Sequence, residues 1–256
     1  MPDSRFRHLI HHLAPIPSGH PAGGRLNKPV RAAIFDIYGT ILRDRGQVPA
    51  AFQTALQSGG LLFSAEQLSS VRGASKRDAI AVLVENRFGP SDSANASRIQ
   101  AVYATFQTDL LARFKKGPVD FVPGTLETLR WLRESGVALA LITGFDRVIA
   151  NTIIDRLSWD GFLIETLVCG DDVTQGRPAP FMILQAMEQA GVANAAQVMT
   201  VGDTTKDLEA GTNAGVGVNI GVLTGAHGKE RLQQVAHTQI LPSIADIPDF
   251  LNKDET

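Results

Sequence analysis

Runs of apolar residues punctuate the chain at intervals. Arg31–Ile37 closes on an acid and then Tyr38-Gly39-Thr40, and Val137–Thr143 closes on Gly144. Further runs are Thr166–Cys169, Val198–Val201 and Val216–Val222. They are continuous rather than alternating, the pattern of strands buried on both faces. Between them lie helical patterns: Thr125–Ser135 with Leu126, Leu129 and Leu132 in register, Arg147–Leu157, Pro180–Ala190 and Thr204–Ala214. Proline near a start and glycine past an end (Gly136, Gly191, Gly215) are the expected punctuation. Strands that alternate with helices predict an α/β fold with an open parallel sheet covered on both faces.

One segment breaks the alternation. Residues 50–120 hold no convincing strand, whereas Ala51–Leu56, Ser64–Arg72, Lys76–Phe88 and Ala96–Phe114 all read as helices. The organisation expected is a catalytic core of residues 30–49 and 121–256 with a smaller helical domain of residues 50–120 inserted. Pro49 and Val122-Pro123-Gly124 are the expected hinges. Residues 1–29 are rich in Pro, Gly, Arg and His without an apolar period, so a mobile extension is expected there.

Composition narrows the class. Of 256 residues, 44% are hydrophobic and 20% charged, which suits a globular protein with a core of ordinary size. The formal charge of −2 supplies no basic field for nucleic acid or an anionic membrane. No apolar run reaches the length of a spanning helix. Cys169 is the only cysteine, so no internal disulfide can form, and a cytoplasmic protein is expected.

In an open parallel sheet, ligands bind beyond the C-terminal strand ends. Asp36, Thr143 with Gly144, Arg177 and Asp203 all fall there. Asp36 and Asp203 would repel each other in a dry cleft unless a cation intervened, and oxygen ligands suit Mg²⁺. Thr143 and the amides after Gly144 offer donors to an anion, and Arg177 a fixed positive charge. Asp207 shares a helix face with Asp203, as a direct ligand or as a support behind one. The expected partner is a small anionic substrate.

Phe35-Asp-Ile-Tyr-Gly-Thr-Ile41, the strand ending in Thr143-Gly144, Gly176-Arg-Pro-Ala-Pro180 and Gly202-Asp-Thr-Thr-Lys-Asp-Leu208 resemble, in order, the four motifs of the haloacid-dehalogenase superfamily. The resemblance covers about residues 30–250. It implies a Rossmann-like core with a mobile helical cap, Asp36 as a nucleophile forming a covalent aspartyl intermediate, and Mg²⁺ held by Asp36, Asp203 and the backbone carbonyl of Tyr38. It also implies a homodimer.

Phosphatases of that superfamily carry an acid two residues after the nucleophile. Here the position is Tyr38, and a phenol is a poor proton shuttle near neutral pH. Two branches dispense with the acid. The 2-haloacid dehalogenases share the Asp-x-Tyr-Gly-Thr form but bind no metal, unlike a chain with Asp203 and Asp207. The phosphonatases are the nearer likeness. Thr143-Gly-Phe-Asp-Arg147, Asp171-Asp-Val-Thr-Gln-Gly-Arg-Pro-Ala-Pro180, Asn213-Ala-Gly215 and Gly221-Val-Leu-Thr-Gly225 are similar to theirs. Arg72-Gly-Ala-Ser-Lys-Arg-Asp78 aligns Lys76 with their Schiff-base lysine, although they carry a small residue where Tyr38 stands. The resemblance implies cleavage of a small phosphonate, with Arg147 joining Thr143, Gly144 and Arg177 on the substrate. Lys76 reads as an imine former, a phosphate clamp or a solvated helix-start lysine. An atypical phosphatase of the phosphoglycolate type, a dehalogenase and a non-catalytic binding relative are the other readings. Asp172 is expected to orient Arg177, Cys169, Trp131 and Trp159 to pack, and His227 to lie in a loop.

Overall fold

The computed structural model describes residues 28–61, 63–64, 67–68, 75–90, 92–157, 164 and 166–253. The expected extension up to residue 27, most of the expected 64–72 helix and Trp159 lie outside the described residues. No described helix is long and apolar enough to cross a membrane.

The five expected strands form as β1 (Ala32–Asp36), β2 (Ala138–Thr143), β3 (Thr166–Cys169), β4 (Val198–Gly202) and β5 (Val218–Val222). A sixth, β6 (Gln239–Leu241), was not legible. It is three residues long, lies at the edge, and buries only Leu241, so it carries no apolar run. The order is β3-β2-β1-β4-β5-β6, with every neighbouring pair parallel.

Alternate residues of β1 face opposite sides. Ala33 and Phe35 pack against Leu129 and Leu132 of α4 (Thr125–Glu134) and Ile149 and Ile153 of α5 (Arg147–Arg156). Ala32 and Ile34 pack against Met182, Ile183 and Ala186 of α6 (Phe181–Gln189) and Ala210 of α7 (Thr205–Ala214). Helices therefore cover both faces, and the continuous apolar runs are explained. Short helices α8 (Lys229–Leu232) and α9 (Ile247–Asn252) complete the core. The chain runs outward from β1 through β2 to β3, then returns to β4 on the other side of β1. The crevice where the order reverses lies at the ends of β1 and β4.

Between β1 and β2 stand α1 (Gln47–Ser58), α2 (Lys76–Phe88) and α3 (Ser93–Lys116). In α3, Val102, Phe106, Leu110 and Phe114 recur four apart and are buried. Asp92 caps its start by accepting the Asn95 N–H at 2.6 Å, and Arg113, Lys115 and Lys116 end it where cations suit the helix dipole. Phe106 meets Phe52 of α1 edge-on, centroids 6.0 Å apart.

Pro49 lies within a helix rather than ahead of one. α1 already begins at Gln47, and Pro49 sits in its first turn, where a missing N–H costs nothing. The two crossing segments instead pair with each other. Leu42 bridges Phe121, Arg43 N–H donates to the Asp120 carbonyl at 2.9 Å, and Val122 N–H donates to the Ile41 carbonyl at 2.9 Å.

Candidate active site

Asp36 ends β1 and is buried. The chain then turns sharply, with Ile41 N–H and Leu42 N–H both donating to the Ile37 carbonyl. Gly39 sits in this turn at φ +100°, where a Cβ would lie 2.5 Å from Asp203 Oδ2. Both the backbone angle and the space demand glycine.

Asp203 follows β4 and is buried beside Asp36. Its Oδ2 accepts the Ala226 N–H at 2.6 Å, and its Oδ1 accepts the Thr40 hydroxyl at 3.4 Å. Burial, and then the charge of Asp36, push its carboxyl up to about 7. Gly225 lets that carboxylate approach, because a Cβ there would lie 1.9 Å from Oδ2. Neither Thr40 nor residues 225–226 carried any sequence signal beyond their motifs. They act through one hydroxyl, one amide and an absent side chain.

Arg177 is buried between two acids. Its Nη1 donates to Asp36 Oδ1 at 2.9 Å and pairs with Asp207 Oδ1. Its Nε finds no hydrogen-bond partner among the described residues. Asp207 also closes the start of α7, its Oδ2 accepting from Thr204 N–H at 3.0 Å and from the Thr204 hydroxyl at 2.5 Å. Thr143 ends β2, and its Oγ1 accepts the Phe145 N–H at 3.2 Å.

Asp36, Lys76, Thr143, Gly144, Arg177 and Asp203 line one cavity of about 160 Å³. Lys76 comes from the inserted segment as the first residue of α2, where Ser75 Oγ accepts the Asp78 N–H at 3.1 Å. Its Nζ lies 5.9 Å from the Phe52 ring centroid. Val48, Phe52, Leu68 and Phe145 add apolar lining, and Tyr38 and Asp44 line the cavity as well. Val48, Phe52, Leu68 and Phe145 had no expected role, because only packing tells an apolar residue of a lining from one of a core.

Two expectations are corrected. Arg147 does not line the cavity. Its Nη2 donates to the Leu167 carbonyl at 3.1 Å and pairs with Asp172. Asp172 therefore holds Arg147, not Arg177, and also accepts the Cys169 N–H at 2.7 Å. Both acids after β3 face the start of α5, since Asp171 accepts the Arg147 N–H at 2.9 Å, and so draw that arginine away. Cys169 is buried, and burial pushes its thiol up to about 12, so it packs as expected and stays a thiol. His227 lies in the loop between β5 and α8, as expected, but it is buried there, and its Nδ1 accepts the Thr205 N–H at 3.0 Å at the start of α7.

The Tyr38 hydroxyl is committed elsewhere. It donates to Gln47 Oε1 at 2.6 Å and accepts the Arg45 N–H at 3.1 Å. Burial, and then the Asp44 charge, raise the phenol above its ordinary range. It remains protonated and exchanges no proton with a ligand near neutral pH.

Among the described residues, three buried acids, Asp36, Asp203 and Asp207, cluster around one guanidinium, so negative charge exceeds positive once Asp203 gives up its proton. The donors are all oxygen. A divalent, oxygen-seeking cation fits both facts, and Mg²⁺ is such an ion.

A family model described as haloacid dehalogenase-like hydrolase matches residues 33–222. A phosphonoacetaldehyde hydrolase from Bordetella avium (strain 197N) is 32% identical over 205 residues, 73% of this chain and 70% of its own length. Another of that name, from Bordetella pertussis (strain Tohama I), is 28% identical over 268 residues, 89% and 94% of the two chains. Among solved structures, a phosphonoacetaldehyde hydrolase-like protein from Oleispira antarctica matches with a TM-score of 0.75 at 20% identity, covering 91% of this chain and 95% of the other. A structure described as a predicted phosphoglycolate phosphatase from Haemophilus somnus 129PT matches with a TM-score of 0.70 at 18% identity, over 88% and 99%. At these identities the structural likeness speaks for the fold alone.

Proposed function

The chain belongs to the haloacid dehalogenase-like hydrolases, and from that premise we propose that it cleaves the carbon–phosphorus bond of a small phosphonate of the phosphonoacetaldehyde kind. One observation carries this reading. Lys76 of the inserted helices and Asp36 of the core line the same cavity, while the side chain at position 38, where a phosphatase needs its acid, is a phenol committed to Gln47. The names of the relatives from Bordetella support the same substrate class.

Asp36 is the nucleophile. Arg177, the Thr143 hydroxyl and the amides after Gly144 hold the phosphonate oxygens. Asp36, Asp203 and the Tyr38 carbonyl would hold Mg²⁺, with Asp207 as ligand or support behind them. When bound, the ion offsets the buried negative charge and lets a carboxylate approach an anionic phosphorus. Lys76, as the neutral amine, attacks a carbonyl. The amine condenses with the aldehyde, losing water, and the imine takes up a proton. An Asp36 oxygen then attacks phosphorus, and the C–P electron pair passes into the imine, leaving an enamine. Water hydrolyses the aspartyl phosphate, returning Asp36 and phosphate. The enamine takes a proton on carbon, and hydrolysis of its imine releases acetaldehyde and frees Lys76. Residues 50–120 act as a cap whose closure excludes water.

The second reading is an atypical small-molecule phosphatase. A lysine at a helix N-terminus is also a good phosphate clamp, so Lys76 serves that reading as well. A cluster of three buried acids around one arginine argues against a metal-free dehalogenase.

The test is acetaldehyde release from phosphonoacetaldehyde with and without Mg²⁺, beside a simple phosphate ester. Release that needs Mg²⁺ and stops when borohydride traps Lys76 is the expected outcome. Phosphate from the ester with no aldehyde moves the assignment to the phosphatase. Asp36→Asn is expected to reduce turnover by at least ~1,000-fold, the scale of losing a covalent nucleophile; activity within tenfold of the parent would sink the mechanism.

A further inference from the structure

The cavity lining has two chemically unlike parts. The charge cluster of Asp36, Asp203 and Arg177 supplies one; hydrocarbon from Val48, Phe52, Leu68 and Phe145 supplies the other. Val48, Phe52 and Phe145 are almost wholly buried. A second rank of rings backs them: Phe106 edge-on to Phe52 at 6.0 Å, and Phe114 edge-on to Phe145 at 6.4 Å. Rings held from behind form a wall already in place before any ligand arrives. Lys76 shares this lining, its Nζ 5.9 Å from the Phe52 centroid.

In an imine with a two-carbon aldehyde, the carbon bonded to Lys76 Nζ carries only a hydrogen, although Phe52 lies beside that nitrogen. Such a substrate covers little of the apolar lining. Volume limits what else can enter. The cavity, about 160 Å³, is close to the roughly 150 Å³ of an engineered cavity that accepts benzene. A phosphonate with a short substituent fills such a space, and a long chain does not.

We propose that the substrate is a 2-oxoalkylphosphonate that carries a short alkyl group on the carbon facing Lys76. That group lies against Val48, Phe52, Leu68 and Phe145, which set the specificity. The inference rests on the reading above that Asp36 receives the phosphoryl end. Covering the wall removes apolar surface from water on both partners, an advantage phosphonoacetaldehyde cannot collect.

The experiment compares kcat/KM of the Mg²⁺-loaded protein for 2-oxoethyl-, 2-oxopropyl-, 2-oxobutyl- and 2-oxohexylphosphonate. Alongside, calorimetry measures binding of methyl-, propyl- and hexylphosphonate, which have no carbonyl for Lys76. We expect kcat/KM to rise about fourfold to tenfold with each carbon up to 2-oxobutyl, and to fall at 2-oxohexyl. Propylphosphonate should bind more tightly than either neighbour in its series. Val48→Thr, which keeps the shape and adds a hydroxyl, should lower the 2-oxobutyl to 2-oxoethyl ratio about tenfold; Leu68→Asn gives a second reading of that ratio if the first variant folds poorly. Preference for the smallest member in both series, or flat values in both, overturns the inference. A binding preference for propylphosphonate without C–P cleavage would remove the proposed reaction and leave the apolar subsite standing.

Discussion

A carboxyl group carried from water into the end of a parallel sheet loses its hydration, and at Asp203 the neighbouring charge of Asp36 adds to that cost. The result is a carboxyl pushed up to about 7. Because the folded value lies above the ordinary 3.8, the folded chain holds a proton that the unfolded chain releases between about pH 4 and 7. Stability of the metal-free protein therefore falls as pH rises through that window. Mg²⁺ binding runs the opposite way, since the ion needs the carboxylate: affinity should rise up to about tenfold per pH unit below 7 and level off above it. Calorimetric titrations at pH 5.5, 6.5, 7.5 and 8.5 would measure this, and an affinity indifferent to pH would remove Asp203 from the ligand set. Asp36, Asp203 and Arg177 were legible as residues because acids and a cation at strand ends have few other reasons to be there. The pairing of Arg147 with Asp172 was not, because sequence order does not say which of two arginines a nearby acid meets.

At the scale of elements, the Asp146 side chain ties α3 of the insert to the start of α5 of the core. Asp146 caps α5 by accepting the Ile149 N–H at 3.0 Å through Oδ1, while its Oδ2 accepts the Tyr103 hydroxyl at 2.6 Å and the Gln107 amide at 2.7 Å. Burial, and then Asp146, raise the Tyr103 phenol above its ordinary range, so it remains a donor. Tyr103→Phe removes one charge-assisted hydrogen bond, worth roughly 1.5–3 kcal/mol. If the insert closes on the core as proposed, kcat and KM should change together, with a melting temperature about 3–10 °C lower. Steady-state kinetics and thermal melting check this; a lower melting temperature with unchanged kinetics would make the tie purely structural. Five strands were legible because buried strands read as continuous apolar runs. β6 and the true start of α1 were not: one is too short to carry a pattern, and the other places a proline inside a first turn rather than at a break.

For the whole molecule, function is held at a cost in stability. The core keeps buried like charges that a hydrophobic replacement would relieve. Mg²⁺ at about 100 times its dissociation constant should stabilise the fold by roughly 2.7 kcal/mol, or about 5–10 °C in melting temperature for a domain of this size. Asp203→Asn removes one of the repelling charges. It should raise the melting temperature of the metal-free protein and abolish the increment from Mg²⁺. A variant that kept the full increment would place the ion elsewhere.

The α/β class, the order of motifs and the acid at the end of β1 are written in the sequence itself, because strand burial and the ends of strands leave local marks in residue type and spacing. Tyr38 was legible as a departure from a phosphatase pattern for the same reason. What the hydroxyl of Tyr38 does instead was decided only by the fold, which sets Gln47 and Arg45 against it. The same holds for the apolar wall facing Lys76 and for the count of charges around Arg177. These are properties of groups distant along the chain, and no local pattern records which side chains packing brings to one cavity.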